Sequence, residues 1–253
     1  MSNKTQGGPP VYRTKRIRWL TTPLVLIVGG AVFLAWFFGR TVPDEASLDA
    51  AGSVTTTTSE VVGSDTTVAT EGTWTIDTSI GEFSFAEATS TFAGFRVNEE
   101  LSGFGSAVAV GRTPDVTGTL VIEEGVVTTA SIEVDLSSIV SNQSRRDSRV
   151  QRALNTSEHP RATFVLDEPI EVGTDLATGE TFAANATGQL TINGIAKSVT
   201  IPLEGTFVDG SVLLAGGIDL TFADFDVEVP SAPIVLSAEE HGILEVQLWF
   251  TPA

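Results

Sequence analysis

The sequence predicts an all-β domain, an antiparallel barrel of about eight strands with one short helix, preceded by a single transmembrane helix. Three features carry this reading. From Thr73 onward, apolar and polar residues alternate in short runs broken by Asn-Gly and Asp-Gly dipeptides. Only one later stretch, about Ser144 to Leu154, has helical spacing, and Trp19 to Phe38 is free of charged side chains. Antiparallel strands in such number remove their exposed edges by closing into a barrel or a sandwich.

Residues 1–18 form a basic tail, and residues 1–40 hold six basic residues and no acid. The 20-residue run WLTTPLVLIVGGAVFLAWFF, residues 19–38, matches a hydrocarbon core of about 30 Å at about 1.5 Å per residue. Trp19 and Trp36 near its ends suit the membrane interface. The basic tail predicts the N-terminus inside the cytoplasmic membrane and the rest of the chain outside. A cleaved signal peptide is the competing reading; the long basic region and the lack of a small-residue cleavage site directly after the run oppose it. Residues 39–72 are rich in Thr, Ser, Ala and acid with no aromatic residue, which predicts a disordered, solvated linker. Residues 73–253 make the barrel domain.

Within that domain Trp74 and Ile76 open a strand, and Phe83 and Phe85 continue the alternation. The clearest strand runs from Val126 to Leu136, with Val126, Thr128, Ala130, Ile132, Val134 and Leu136 on one face. Glu124-Gly125 suits a tight turn, and Asn193-Gly194 and Asp209-Gly210 suit type I′ hairpins. Val199, Ile201, Leu203, Gly205 and Phe207 share a face, and the last strand sets Leu244, Val246, Leu248 and Phe250 against Glu245, Gln247 and Trp249. Phe83, Phe85, Phe92, Phe95 and Phe164 are the candidate lining of an apolar cavity, with plain core packing as the alternative.

The helix opens with Ser144-Arg145-Arg146-Asp147, the form of a capping box. Val150 and Leu154 fall on one face, and Arg145, Arg149 and Arg152 on another. Two roles fit the arginines. Arg145 and Arg149 hold an anionic headgroup at the barrel mouth, where a guanidinium fork suits it; or Arg146 or Arg145 pairs with Asp147 or with strand carboxylates and fixes the helix to the barrel. Arg96 and Lys197 read as rim charges.

The whole chain has 14 basic and 32 acidic residues, so the part after residue 40 has 14 − 6 = 8 basic against 32 acidic, a net of −24. Such a field repels phosphate backbones and excludes nucleic-acid binding. Without cysteine there is no disulfide, thiol nucleophile or Cys-ligated metal. His159 and His241 read as surface residues, and no metal-ligand spacing, nucleophile elbow or phosphate loop is present. Adjacent carboxylates such as Glu99-Glu100 arise by chance in so acidic a chain. No catalytic residue, metal or cofactor is assigned, the chain reads as no enzyme, and no pattern names a protein partner.

Four segments occur in order: WTIDTSIGEFSF, SSIVSNQSRRDSRVQRAL, HPRATF (residues 159–164) and TGQLTINGIAKSVTIPLEG. Together they resemble the YceI-like family over about residues 73–252. The resemblance implies a secreted or periplasmic lipocalin-like barrel whose apolar tunnel holds a polyisoprenoid or another fatty-acyl-like chain. Three histidines common in the family are replaced. Asp77 is followed by Thr78, Ser79 and Ile80, GFRVNEELSG occupies the next strand, and Ser148 and Arg149 follow Asp147. A headgroup held by those histidines in relatives is held otherwise here. The expected function is therefore a membrane-anchored, extracytoplasmic, non-enzymatic carrier or sensor of an apolar chain such as a polyisoprenoid or fatty-acyl lipid. A filled barrel serving as a cell-envelope interaction or structural module is the alternative, and an electron-transport accessory holding a quinone-like isoprenoid is a third reading.

Overall fold

Alternation of apolar and polar residues produces, in chain order, β1 (Gly72–Ile76), β2 (Phe92–Leu101), β3 (Gly105–Thr113), β4 (Val116–Glu123), β5 (Val126–Asp135), β6 (Val140–Ser141), β7 (Arg161–Leu166), β8 (Ile170–Glu171), β9 (Thr181–Ile192), β10 (Ile195–Val208), β11 (Ser211–Thr221), β12 (Val235–Ala238) and β13 (His241–Pro252). The computed structural model describes residues 42–52, 71–103, 105–173, 181–229 and 235–253. The basic tail, the expected span at 19–38 and linker residues 53–70 lie outside the described residues. Among those described, no helix is long and apolar enough to cross a membrane.

Every pairing is antiparallel, and the ring runs β1-β4-β5-β7-β9-β10-β11-β13 with β13 returning to β1. These are eight closed strand positions, near the size whose interior holds packed side chains or one small ligand. The first position is shared. β13 pairs with β1 at Ile76↔Phe250 and then with β2 at Phe92↔Gln247, so β2 prolongs β1 after an excursion. β3 lies beside β2 as β4 lies beside β1. Three turns close the hairpins as the sequence predicts: Glu124-Gly125 (φ 52° and 75°), Asn193-Gly194 (51° and 73°) and Asp209-Gly210 (49° and 81°) all sit at positive φ.

Four expectations need correction. Phe83 and Phe85 stand on a strandless loop, residues 77–91, and not on a β-strand. The alternation of β5 breaks at Thr128, because the register jumps from Val121↔Thr129 to Ile122↔Val127. This bulge rotates the strand end, so Val127 enters the core in place of the expected Val126 and Thr128. The capping box does not form in α2 (Ser144–Ala153). Gln143 occupies the N-cap without a side-chain bond, while the Asp147 carboxylate reaches back to accept from Ser141 N–H at 2.9 Å and Oγ at 2.6 Å. Finally, residues 42–52, inside the stretch read as linker, lie against the barrel's outer wall as a strap ending in α1 (Leu48–Gly52). Ala51 is sealed with Leu213 and Trp249 there, and Leu48 and Ile80 pack against them.

Candidate functional site

Register decides which side chains face the lumen, because residues two apart share a face. The inward set at one end of the ring is packed: Trp74, Leu120, Ile122, Phe207, Val212 and Phe250 are all under 8% exposed. Trp74 meets Phe207 edge to face, with ring centroids 5.8 Å apart at 85°, a geometry worth about 0.5–1.5 kcal/mol beyond burial. Farther along the lumen the inward residues differ. Phe95, Ile132, Val134, Phe164, Leu203 and Leu214 face inward yet keep accessible surface. The inward lining is thus tightly packed at the end bearing the 124–125 and 209–210 turns; beyond it these side chains keep surface, while Val116, Leu190 and Ile201 are buried.

Glycines shape that accessible part. Phe95 lies over Gly111, Phe164 over Gly188 and Phe182 over Gly205, where a Cβ would strike the ring. Each ring lies along the wall of the barrel on its glycine.

The other end carries the polar groups. Glu99 shares the inward face of β2 with Phe95 and pairs across to Ala107. Its carboxylate accepts from Arg146 Nη2 of α2 at 2.7 Å, with side-chain exposures of 9% and 17%. Arg146 Nη1 also donates to Asn142 Oδ1 at 2.7 Å, and Asn142 is anchored to the Val108 carbonyl at 3.0 Å on the far edge of β3. The guanidinium thus ties α2 to Glu99 on the inward face of β2 and, through Asn142, to β3. Burial raises the Glu99 carboxyl above the usual glutamate range, and Arg146 offsets this only in part.

A second charged cluster stands on the outer wall. Glu245, 3% exposed, joins Arg96 Nε at 2.8 Å and Arg112 Nε at 2.9 Å. Arg96 further donates to the carbonyls of Pro43 and Asp44, and Arg112 to those of Asp44 and Phe85. The Arg112 guanidinium lies 4.2 Å over the Phe92 ring, and burial lowers its pKa. Next to it Gln247 Nε2 donates to the carbonyls of Ala88 at 2.8 Å and Ser90 at 3.0 Å. Nothing in local sequence marks this cluster, since its members lie 133 and 149 residues apart; the one signal is a glutamate and a glutamine in the apolar final strand.

The candidate residues therefore separate. Phe95 and Phe164 face the lumen. Phe92 is fully buried but points outward beneath Arg112. Phe83 and Phe85 belong to the loop that passes outside the wall, where the Phe85 carbonyl meets Arg112. Arg145 is exposed and Arg149 half-buried on α2, whereas Arg146 makes the ion pair. Arg96 is no rim charge, being 5% exposed; Lys197 stands half-exposed, 3.5 Å from Asp224. His159 packs against the Gly194 turn, and His241 pairs with Asp219 at 2.9 Å. A cleft of about 420 Å³ lies between Ala46 and Ser47 of the strap and Pro202 and Gly217 of the wall.

Comparison with known proteins agrees with this geometry. Protein YceI of Escherichia coli O17:K52:H18 is 29% identical over 109 residues, which is 42% of this chain and 53% of that protein. Protein YceI of Shigella flexneri is 28% identical over the same shares, so the matched region spans about half the length of these curated relatives. Among solved structures, a polyisoprenoid binding domain from Saccharophagus degradans superposes with a TM-score of 0.51 at 14% identity, covering 71% of this chain and 98% of that one. BcnA of Burkholderia cenocepacia does so at 0.50 and 17%, covering 62% and 95%. Both share the fold. The family model of the YceI-like domain matches residues 47–248, from the strap through the ring and its mouth to the last strand, and the chain belongs to the YceI-like family.

Proposed function

We infer that the protein binds an apolar chain, such as a polyisoprenoid or fatty-acyl lipid, lengthwise in the barrel, without catalysis. One observation carries this reading: large apolar side chains that face the inside of a closed ring remain accessible, with their aromatic rings laid on glycines. An apolar lumen with a few polar groups at one end suits a chain with a small head. The polyisoprenoid binding described for the Saccharophagus domain supports the same class. The packed end at Trp74 and Phe207 limits how far such a chain reaches. The charge-free run at 19–38 anchors the protein in the cytoplasmic membrane with the barrel outside, as a carrier or sensor of lipid.

Native mass spectrometry of the full-length chain from its own host, followed by solvent extraction, tests the lumen. A stoichiometric mass that extracts as a long apolar chain is expected. A bare protein that takes up no isoprenoid, fatty acid or quinone on soaking sinks the reading in favour of a filled interaction module. Anchoring is tested separately. The chain is expected to stay with membranes through an alkaline carbonate wash and to lose its barrel to protease added outside; release by the wash rejects it.

A further inference from the structure

The wall is not equally tall on every side. β3 pairs with β2 along its whole length, from Ala93↔Thr113 to Leu101↔Gly105. On its other edge it pairs only at Gly111 and Arg112, with β6. β5 and β7 part company at Asp135↔Arg161, with one further bond from the Leu136 N–H to the Pro160 carbonyl. Past that level, among the described residues, no strand pairs with the far edge of β3 from Gly105 to Val110. The polar end of the wall therefore has a gap between β3 and β7, and the chain crosses from β6 to β7 as α2.

An open strand edge needs its backbone groups met. Here the Asn142 side chain meets them: Nδ2 donates to the Val108 carbonyl at 3.0 Å, and Oδ1 accepts from the Val110 N–H at 3.4 Å. α2 is thus left to join the barrel through side chains, and these joints are few. Arg146 Nη2 reaches Glu99 on β2 at 2.7 Å, Gln151 Nε2 donates to the Ser137 carbonyl at 2.9 Å, and Asp147 accepts from Ser141. Val150 is the buried residue of the helix, so little apolar surface fixes it. Arg145 and Arg152 are exposed and Arg149 is half-buried; with Arg146 they put four like charges on one short helix, and Glu99 is the carboxylate of β2 that holds it. Extended Gln143 precedes the helix, and Asn155, at φ 50°, ends it. Directly below the last β5–β7 pair begin the inward residues that keep surface, Val134 and then Ile132 with Phe164.

We propose that α2 is a hinged gate in the side of the barrel, latched by Arg146 and Glu99, and that the apolar chain enters and leaves laterally beneath it. This rests on the lumen reading above and adds the route to it. The latch opens without breaking any strand pairing, so passage is set by a local movement. Glu99 and Arg146 are here positioning residues that govern the rate of passage.

The chain has no cysteine, so Glu99→Cys with Arg146→Cys introduces the only two. Full-length protein in detergent is loaded with geranylgeraniol and mixed with excess deuterated alcohol, and exchange of the bound mass is followed by native mass spectrometry. Bridging the two cysteines with bismaleimidoethane should slow exchange severalfold against the same sample left unbridged. A bridged sample that exchanges at the unbridged rate overturns the gate. Glu99→Gln keeps the shape and removes the charge; it should speed exchange by on the order of tenfold, the loss of one charge-assisted bond. An unchanged rate in that variant overturns the latch, and this variant decides if the cysteine pair does not fold. A wild type that binds no geranylgeraniol overturns the lumen reading and the gate with it, a result distinct from bound lipid whose exchange ignores the bridge.

Discussion

Strand β2 holds an arginine and a glutamate three positions apart, Arg96 and Glu99, and the pleat sends them to opposite sides of the wall. Outside, Arg96 enters a cluster with Arg112 and Glu245 that is at most 5% exposed and finished by backbone carbonyls of the strap and loop. Inside, Glu99 joins one arginine in a pair that is 9% and 17% exposed and keeps unused donors. The residue types are the same and the consequences differ. A charge whose bonding capacity is taken up by the chain holds the chain in place; a pair that joins two elements beside accessible apolar surface is fitted to part.

The largest test of this contrast is Glu245→Ala. It leaves two buried guanidinium groups without their shared carboxylate and should cost about 3–5 kcal/mol in urea unfolding. Protease should also cut faster within residues 42–52. Glu99→Ala should cost less than half as much, because water reaches Arg146. Equal losses at the two sites would break the distinction between sealed and open pairs.

The glycines sharpen it next. At Gly188 a Cβ would collide with the Val165 carbonyl as well as the Phe164 ring, so Gly188→Ala should destabilise by about 1–3 kcal/mol. At Gly111 the nearest obstacles are ring atoms of Phe95. That ring can swing into the lumen, so Gly111→Ala should fold with a smaller loss yet take up less lipid in a binding assay. An unchanged uptake would show that the Phe95 side of the lumen is not used.

Titration gives a third, smaller effect with opposite signs at two carboxyls. Glu99 is raised by burial; in the window between the ordinary and the raised value the native state keeps a proton that the unfolded chain has released. The stability it contributes is present on the acid side and lost as pH rises through the raised value. Asp135 is lowered, first by the Ser137 hydroxyl and then by its N–H. Its contribution is present above the unfolded value and lost as pH falls through the lowered one. Measured from about pH 3 to about pH 7, wild type should lose stability relative to Glu99→Gln as pH rises and gain it relative to Asp135→Asn. A flat difference for Glu99 would mean that its carboxyl is solvated. The smallest effect belongs to Lys197→Ala, which breaks an exposed 3.5 Å pair with Asp224 and should stay below about 1 kcal/mol.

Much of the ring was readable from sequence because turn chemistry is local. Asn193-Gly194 and Asp209-Gly210 need only their own φ angles. The helix is legible from its spacing and forms over Ser144–Ala153, and Arg146 pairs with a strand carboxylate, one of the two roles that fit its arginines. The bulge at Thr128 escaped because an extra residue is visible only against the partner strand. The outward turn of Phe92 escaped because the alternation there is blurred by Gly94 and Arg96, and its direction is fixed by pairing with Gln247. The strap escaped for a stronger reason: Thr, Ser and acidic composition resembles a linker, and what holds residues 42–47 is mostly their own backbone carbonyls and N–H groups. A backbone contact leaves no trace in the identity of the residue that makes it.

The closing strand has a consequence in time. β13 borders β11 along one edge and both β1 and β2 along the other, and on that edge Trp74 pairs with Pro252. It also supplies the Glu245 and Gln247 that hold the strap and the loop. While the chain emerges from its N-terminus, the first strands and their apolar faces must wait for a strand made long after them, a slow, long-range closure. A chain stalled or trimmed before residue 241 would be an open sheet with two raw edges and an unheld strap. Arrival of β13 is the step that closes the ring.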